Sequence, residues 1–214
     1  MDKSPLMKEL REQLDKVGAK MDECPWENPE FYSHWLAQTT YFVNHSSRLL
    51  TLASAHCPPE YQKFHLRFLS HAAEEKGHEN LSRMDLKHLG YKLEDRPEMI
   101  STQSFYQSQY YWIQFKNPLA FFGYILALEC LALERGPSLT ARTEKAYGPK
   151  GAHFLRVHAA EDVDHVKEAM ESVEKMPPAA HVHILENMRQ AFFNYESMLD
   201  ECCKLAAKKY KAAG

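Results

Sequence analysis

Apolar residues recur at helical spacing along the whole chain, and no segment alternates apolar and polar positions between hairpin signals. The pattern therefore predicts helices and no strands. Proline sets the breaks: all eleven prolines, at positions 5, 25, 29, 58, 59, 97, 118, 137, 149, 177 and 178, fall between periodic stretches or at their starts. Cut there, the sequence reads as eight helices. They run from Pro5 to about Val17, from Asn28-Pro29 to about Ala55, and from Pro58-Pro59 to just before Gly90, a natural C-capping glycine. The next run from Pro97 to near Lys116, from Asn117-Pro118 to Gly136, from Ser138 to Tyr147, from about Lys150 to Lys175, and from Pro178 to near the C-terminus. The expected fold is all-α: a single-domain multi-helix bundle over residues 1–214, with residues 1–27 as a peripheral helix and loop. Gly77 and Gly123 stand inside predicted helices, where each costs about 1 kcal/mol relative to alanine, so each needs a packing or site reason.

Composition narrows the function classes. Only 8 of 214 residues are glycine, and 44% are hydrophobic, enough for one sizeable core. With 26 Lys+Arg against 29 Asp+Glu the net charge is −3, which gives no electrostatic reason to expect nucleic acid or an anionic membrane as partner. A small-molecule substrate fits better, and a homodimer is left open. The longest apolar stretch, Pro118 to Leu128, is too short to span a bilayer and runs straight into Glu129. Five cysteines without a CxxC pair, and an amphipathic N-terminus in place of an export signal, point to a reducing cytoplasm in which the cysteines are packing or surface residues.

The chemistry lies where polar groups occupy core-facing stripes. On the third predicted helix, taken as continuous at 100° per residue, His71, Glu75 and His78 fall in or beside the stripe of Phe64, Phe68, Leu86 and Leu89. Glu74 lies about 80–100° away, so Glu75 is the preferred carboxylate. His71 is open to three roles: ligand, support for a ligand, or substrate contact. On the seventh helix His158, Asp162 and His165 are spaced i, i+4, i+7 on one face beside Phe154, Ala169 and Val173. The fifth helix is apolar nearly all round, and its one interior charge is Glu129. Buried carboxylates need cations or protons. Three carboxylates and three imidazoles could satisfy one another around divalent metal, and such mixed donors suit iron or manganese. A ferritin-like centre would need a fourth carboxylate from the second helix, but Phe31 to Ala55 contains no Asp or Glu.

HAAEEKGHENLSRMDLKHLGY, GYILALECLALERG and FLRVHAAEDVDHV resemble, in order and spacing, the heme-oxygenase-like di-iron oxidases and oxygenases. These are iron-containing redox enzymes, loosely grouped with thiaminase-II-like proteins. The resemblance covers about residues 30–200. It implies a heme-oxygenase-like helical fold with two Fe(II) per chain, held by Glu75, His78, Glu129, His158, Asp162 and His165. O2 would be the co-substrate, and a small organic molecule such as an amino-acid derivative or fatty acid the substrate. The H-x3-D-x2-H motif is matched without gaps, whereas His78 follows Gly77 directly and departs from the commonest spacing. Tyr41, His71, Gly123 and Tyr124 are expected near a substrate pocket. The alternative is a non-catalytic or cofactorless small-molecule-binding protein of the same fold, for which a thiaminase-II-like nucleophile could only be Cys130, beside Glu129.

Overall fold

The structure is a computed structural model that describes residues 4–212, with the side chains of residues 161, 162 and 209–212 outside the description. Its described residues form α-helices and short 3-10 or π turns, with no strand. The helices are α1 (Pro5–Glu23), α2 (Pro29–Val43), α3 (Ser46–His56), α4 (Gln62–Glu74) and α5 (Glu79–His88). They continue with α6 (Ile100–Tyr111), α7 (Phe121–Tyr147), α8 (His153–Glu174) and α9 (Pro178–Ala212). Proline opens α1, α2 and α9, and the residue before it caps the first two: Ser4 Oγ accepts from Met7 N at 3.3 Å, and Asn28 Oδ1 from Glu30 N at 2.9 Å. The long α7 lies between α8, α9 and α1, while α2 packs on α5, α6 and α9. No helix among the described residues is long and apolar enough to cross a membrane.

Four expected boundaries move, each for a physical reason. α1 continues to Glu23 because Val17, Gly18 and Met21 extend the buried stripe of Leu6, Leu10 and Leu14 against α7 and α9. The second predicted helix divides at Asn44-His45 into α2 and α3. The third divides after Glu74, because Gly77 takes φ +98° and turns the chain before α5. The fifth and sixth merge into α7, which runs through Pro137. An internal proline costs about 3 kcal/mol, and here the packing of α7 on α8 outweighs it. Gly136 allows α8 close enough that an added Cβ would lie 2.8 Å from that of Ala159.

Candidate metal centre

Three segments converge in the core. α4 lays Phe64, Phe68 and His71 on its buried face. Glu75 follows at the end of α4, its N–H donating to the His71 carbonyl at 3.0 Å, and His78 closes the turn by donating from its N–H to the Glu75 carbonyl at 3.3 Å. The segment after α4 is therefore a turn, and this turn carries Glu75 and His78 together. α7 contributes Glu129, and α8 contributes His158 and His165. The N-terminus of α8 is held from α5: Asp85, wholly buried, accepts from the Phe154 N–H at 2.8 Å.

The donors form two groups, His71/Glu129/His165 and Glu75/His78/His158, each with donor atoms within 4.8 Å of one another. In the first, His71 Nε2 stands 3.0 Å from Glu129 Oε1, and His165 Nδ1 stands 3.8 Å from the same oxygen. In the second, His78 Nδ1 is 3.6 Å from Glu75 Oε2, and the His78 and His158 rings are 5.0 Å apart. The groups share a boundary: His71 Nε2 is 3.7 Å from Glu75 Oε1. His158 Nδ1 donates to the Phe154 carbonyl at 2.9 Å, which fixes the tautomer and leaves Nε2 as the ligating atom.

Electrostatics tie these contacts together. Burial disfavours a charged His71, yet Glu129 and then Glu75 lift its pKa to about 9. Burial likewise pushes the Glu75 carboxyl up, but His71 and His78 outweigh it and hold Glu75 well below the usual carboxylate range. Without metal, then, an imidazolium proton supplies the cation that two buried carboxylates require. A divalent ion can take that role at either group, and imidazole with carboxylate is a donor set suited to iron.

Of the expected ligands, Glu75, His78 and His158 come together in one group, and Glu129 and His165 in the other with His71. Asp162 lies on α8, its side chain outside the described residues. Sequence reasoning set Glu74 aside, yet its Oε2 lies 3.2 Å from His165 Nε2, opposite the Nδ1 that faces Glu129. A helical wheel drawn through the turn could not show this. Tyr41 sits elsewhere, donating to the Leu93 carbonyl at 3.3 Å. Gly123 is a packing residue, because an added Cβ would lie 2.7 Å from Met188 N and closer still to the Ile184 carbonyl of α9. Cys130 is buried.

A cavity of about 110 Å³ adjoins the donors. His71, Glu75, Glu129 and His158 line it with Tyr124, Tyr195 and a wall that includes Met21, Trp35, Phe121, Leu128 and Phe154. No Lys or Arg is among the described residues that line it.

The sequence model of a family described as iron-containing redox enzymes matches residues 33–193. None of the curated proteins matches the sequence. Among solved structures, a domain of unknown function with a heme oxygenase-like fold from Shewanella denitrificans superposes with a TM-score of 0.82 at 18% identity, covering 99% of this chain and 94% of that one. A TenA homologue from Pseudomonas syringae pv. tomato gives 0.77 at 12% identity, over 94% and 93%. A TenA homologue from Pyrococcus furiosus gives 0.70 at 14% identity, over 92% and 99%. At these identities the three establish a shared heme-oxygenase-like fold.

Proposed function

The chain belongs to the iron-containing redox enzymes, and from that premise we propose that it is a non-heme iron oxidoreductase holding two iron ions and using O2 on a small, largely apolar molecule. The observation that carries this reading is the pair of adjoining donor groups, two imidazoles and a carboxylate in one and the same in the other, meeting where His71 faces Glu75. His71, Glu129 and His165 would hold one ion, and Glu75, His78 and His158 the other; Asp162, about one turn of α8 from His158 and from His165, keeps its place in the H-x3-D-x2-H motif as a further expected donor. Bound iron supplies the change of oxidation state and the site of O2 reduction.

The chain's own residues do the rest. Glu75 and Glu129 neutralise part of the charge in a site largely shielded from water. His158, oriented by the Phe154 carbonyl, presents Nε2 without tautomeric ambiguity. The apolar wall excludes water and orients a hydrocarbon or aromatic group beside the donors. The lining offers no Lys or Arg, so a substrate carboxylate would have only the iron ions and the histidines as cationic partners, and the rest of the substrate meets apolar side chains.

Anaerobic loading with Fe(II), followed by metal analysis and O2 uptake, tests this reading. About two irons per chain, with O2 consumption faster than in the metal-free chain, is the expected result; helicity and iron content in His158→Ala and Glu129→Ala then separate ligation from folding. Iron retained in both variants would overturn the ligand assignment, and no retained iron in the parent chain would favour a cofactorless binding protein.

A further inference from the structure

Away from the metal centre, two cysteines distant in sequence meet. Cys24, the residue that ends α1, places its Sγ 3.7 Å from the Sγ of Cys203 on α9, 179 residues later. We propose that Cys24 and Cys203 form a reversible disulfide that fastens the end of α1 to α9 when the chain meets a hydroperoxide. Sequence spacing carries no sign of this: the two lack motif spacing, and free cysteines in a chain of this kind read as packing residues.

The two thiols differ in a way that suits sequential oxidation. Cys24 is buried, and its Sγ also lies 3.2 Å from the Lys20 carbonyl, so it keeps its proton. Cys203 is half-buried and reachable from solvent. The Cys24 thiol is its hydrogen-bond partner, and the Lys20 ammonium, paired with Asp200, adds positive charge nearby. The contact with Cys24 and then the Lys20 charge favour the Cys203 thiolate, although burial opposes it. The thiolate attacks the peroxide O–O bond, giving a Cys203 sulfenic acid and releasing hydroxide. The Cys24 thiol then displaces that hydroxyl as water, forming the S–S bond. Overall two thiols lose two electrons and two protons, and one hydrogen peroxide becomes two waters. From 3.7 Å the sulfurs must close to about 2.0 Å, a movement within the reach of the last turn of α1.

The pair also sits behind the cavity wall. Met21, one turn before Cys24, lines the cavity, as does Tyr195 of α9, whose hydroxyl accepts from Trp35 Nε1 at 3.2 Å. A bond there fixes α1 against α9 beside that wall.

The test uses the full chain, reduced, freed of reductant anaerobically, and treated with hydrogen peroxide in the presence of a chelator, so that it is independent of iron. Non-reducing peptide mass spectrometry should show a Cys24-containing peptide linked to the Cys202-Cys203 peptide with loss of two hydrogens, reversed by dithiothreitol. The link should persist in Cys202→Ser and disappear in Cys203→Ser and Cys24→Ser. Oxidation should raise the melting temperature of the parent chain and leave that of Cys203→Ser unchanged. A link through Cys202, or Cys203 passing to sulfinic acid with no cross-link, would overturn the proposal.

Discussion

Glu129 is 8% exposed and stands between His71 and His165, so its charge has no bulk water to share and must be met by its neighbours. The direction of the His71 shift turns this into a pH dependence. With a folded pKa of about 9, above the ordinary imidazole value, His71 gains from folding in its protonated form. That contribution is fully present below about pH 6.5 and is lost as pH rises through about 9, a change of about 3 kcal/mol in the metal-free chain. Glu129→Gln removes the strongest partner that raises the pKa, so urea midpoints between pH 6 and 9.5, with chelator present, should fall less steeply than in the parent chain. Parallel slopes would show that Glu129 does not hold the His71 proton. Metal binding at this group must expel the same proton, so loading near neutral pH should release acid.

At the scale of elements, Asp85 couples two helices, since it sits on α5 and caps α8, the helix that presents His158 and His165. Burial pushes its carboxyl up to about 6 against the pull of the Phe154 and His153 N–H groups. Its ionised form is therefore penalised in the folded state. That penalty, about 3 kcal/mol, is present above pH 6 and is relieved as pH falls toward the unfolded value near 4. The parent chain should thus gain stability relative to Asp85→Asn as pH is lowered from 7 to 4 in denaturant titrations; a constant difference would refute the shift. The two glycines flagged inside predicted helices separate here. Gly123→Ala forces a Cβ onto the backbone of α9 and should cost about 1–3 kcal/mol or more by overpacking. Gly77→Ala meets no atom within 4 Å, so its cost of about 1 kcal/mol is conformational, from φ +98°. Its effect should fall on the turn that carries Glu75 and His78: iron titration should show the affinity of one ion reduced and that of the ion at His71, Glu129 and His165 kept. Equal loss at both would mean that the two groups act as one.

For the molecule as a whole, what the sequence disclosed and what it hid have the same origin. Periodicity and proline placement are local, so they reveal the helical class and the faces bearing His158, His165 and Glu129. The division after Glu74 depends on one backbone angle at Gly77, and the continuity of α7 through Pro137 depends on α8 packing against it; neither is encoded in a stretch shorter than the fold. Glu74 reaching His165, and Cys24 meeting Cys203, likewise appear only once distant helices are brought together. The cavity is of this kind too, since its wall draws on α1, α2, α7, α8 and α9. Its volume of about 110 Å³ is somewhat below the roughly 150 Å³ of an apolar engineered cavity that accepts benzene, so it suits a ligand portion of about ring size. Ala132 lines it, so Ala132→Phe puts an aromatic side chain at the wall of that space. The variant should keep the iron content of the parent chain while losing the rise in melting temperature that benzene or toluene confers on the parent, because the donors stay in place and the apolar space is gone. An aromatic that stabilises both proteins equally would place the apolar binding site elsewhere and separate the cavity from the metal centre it adjoins.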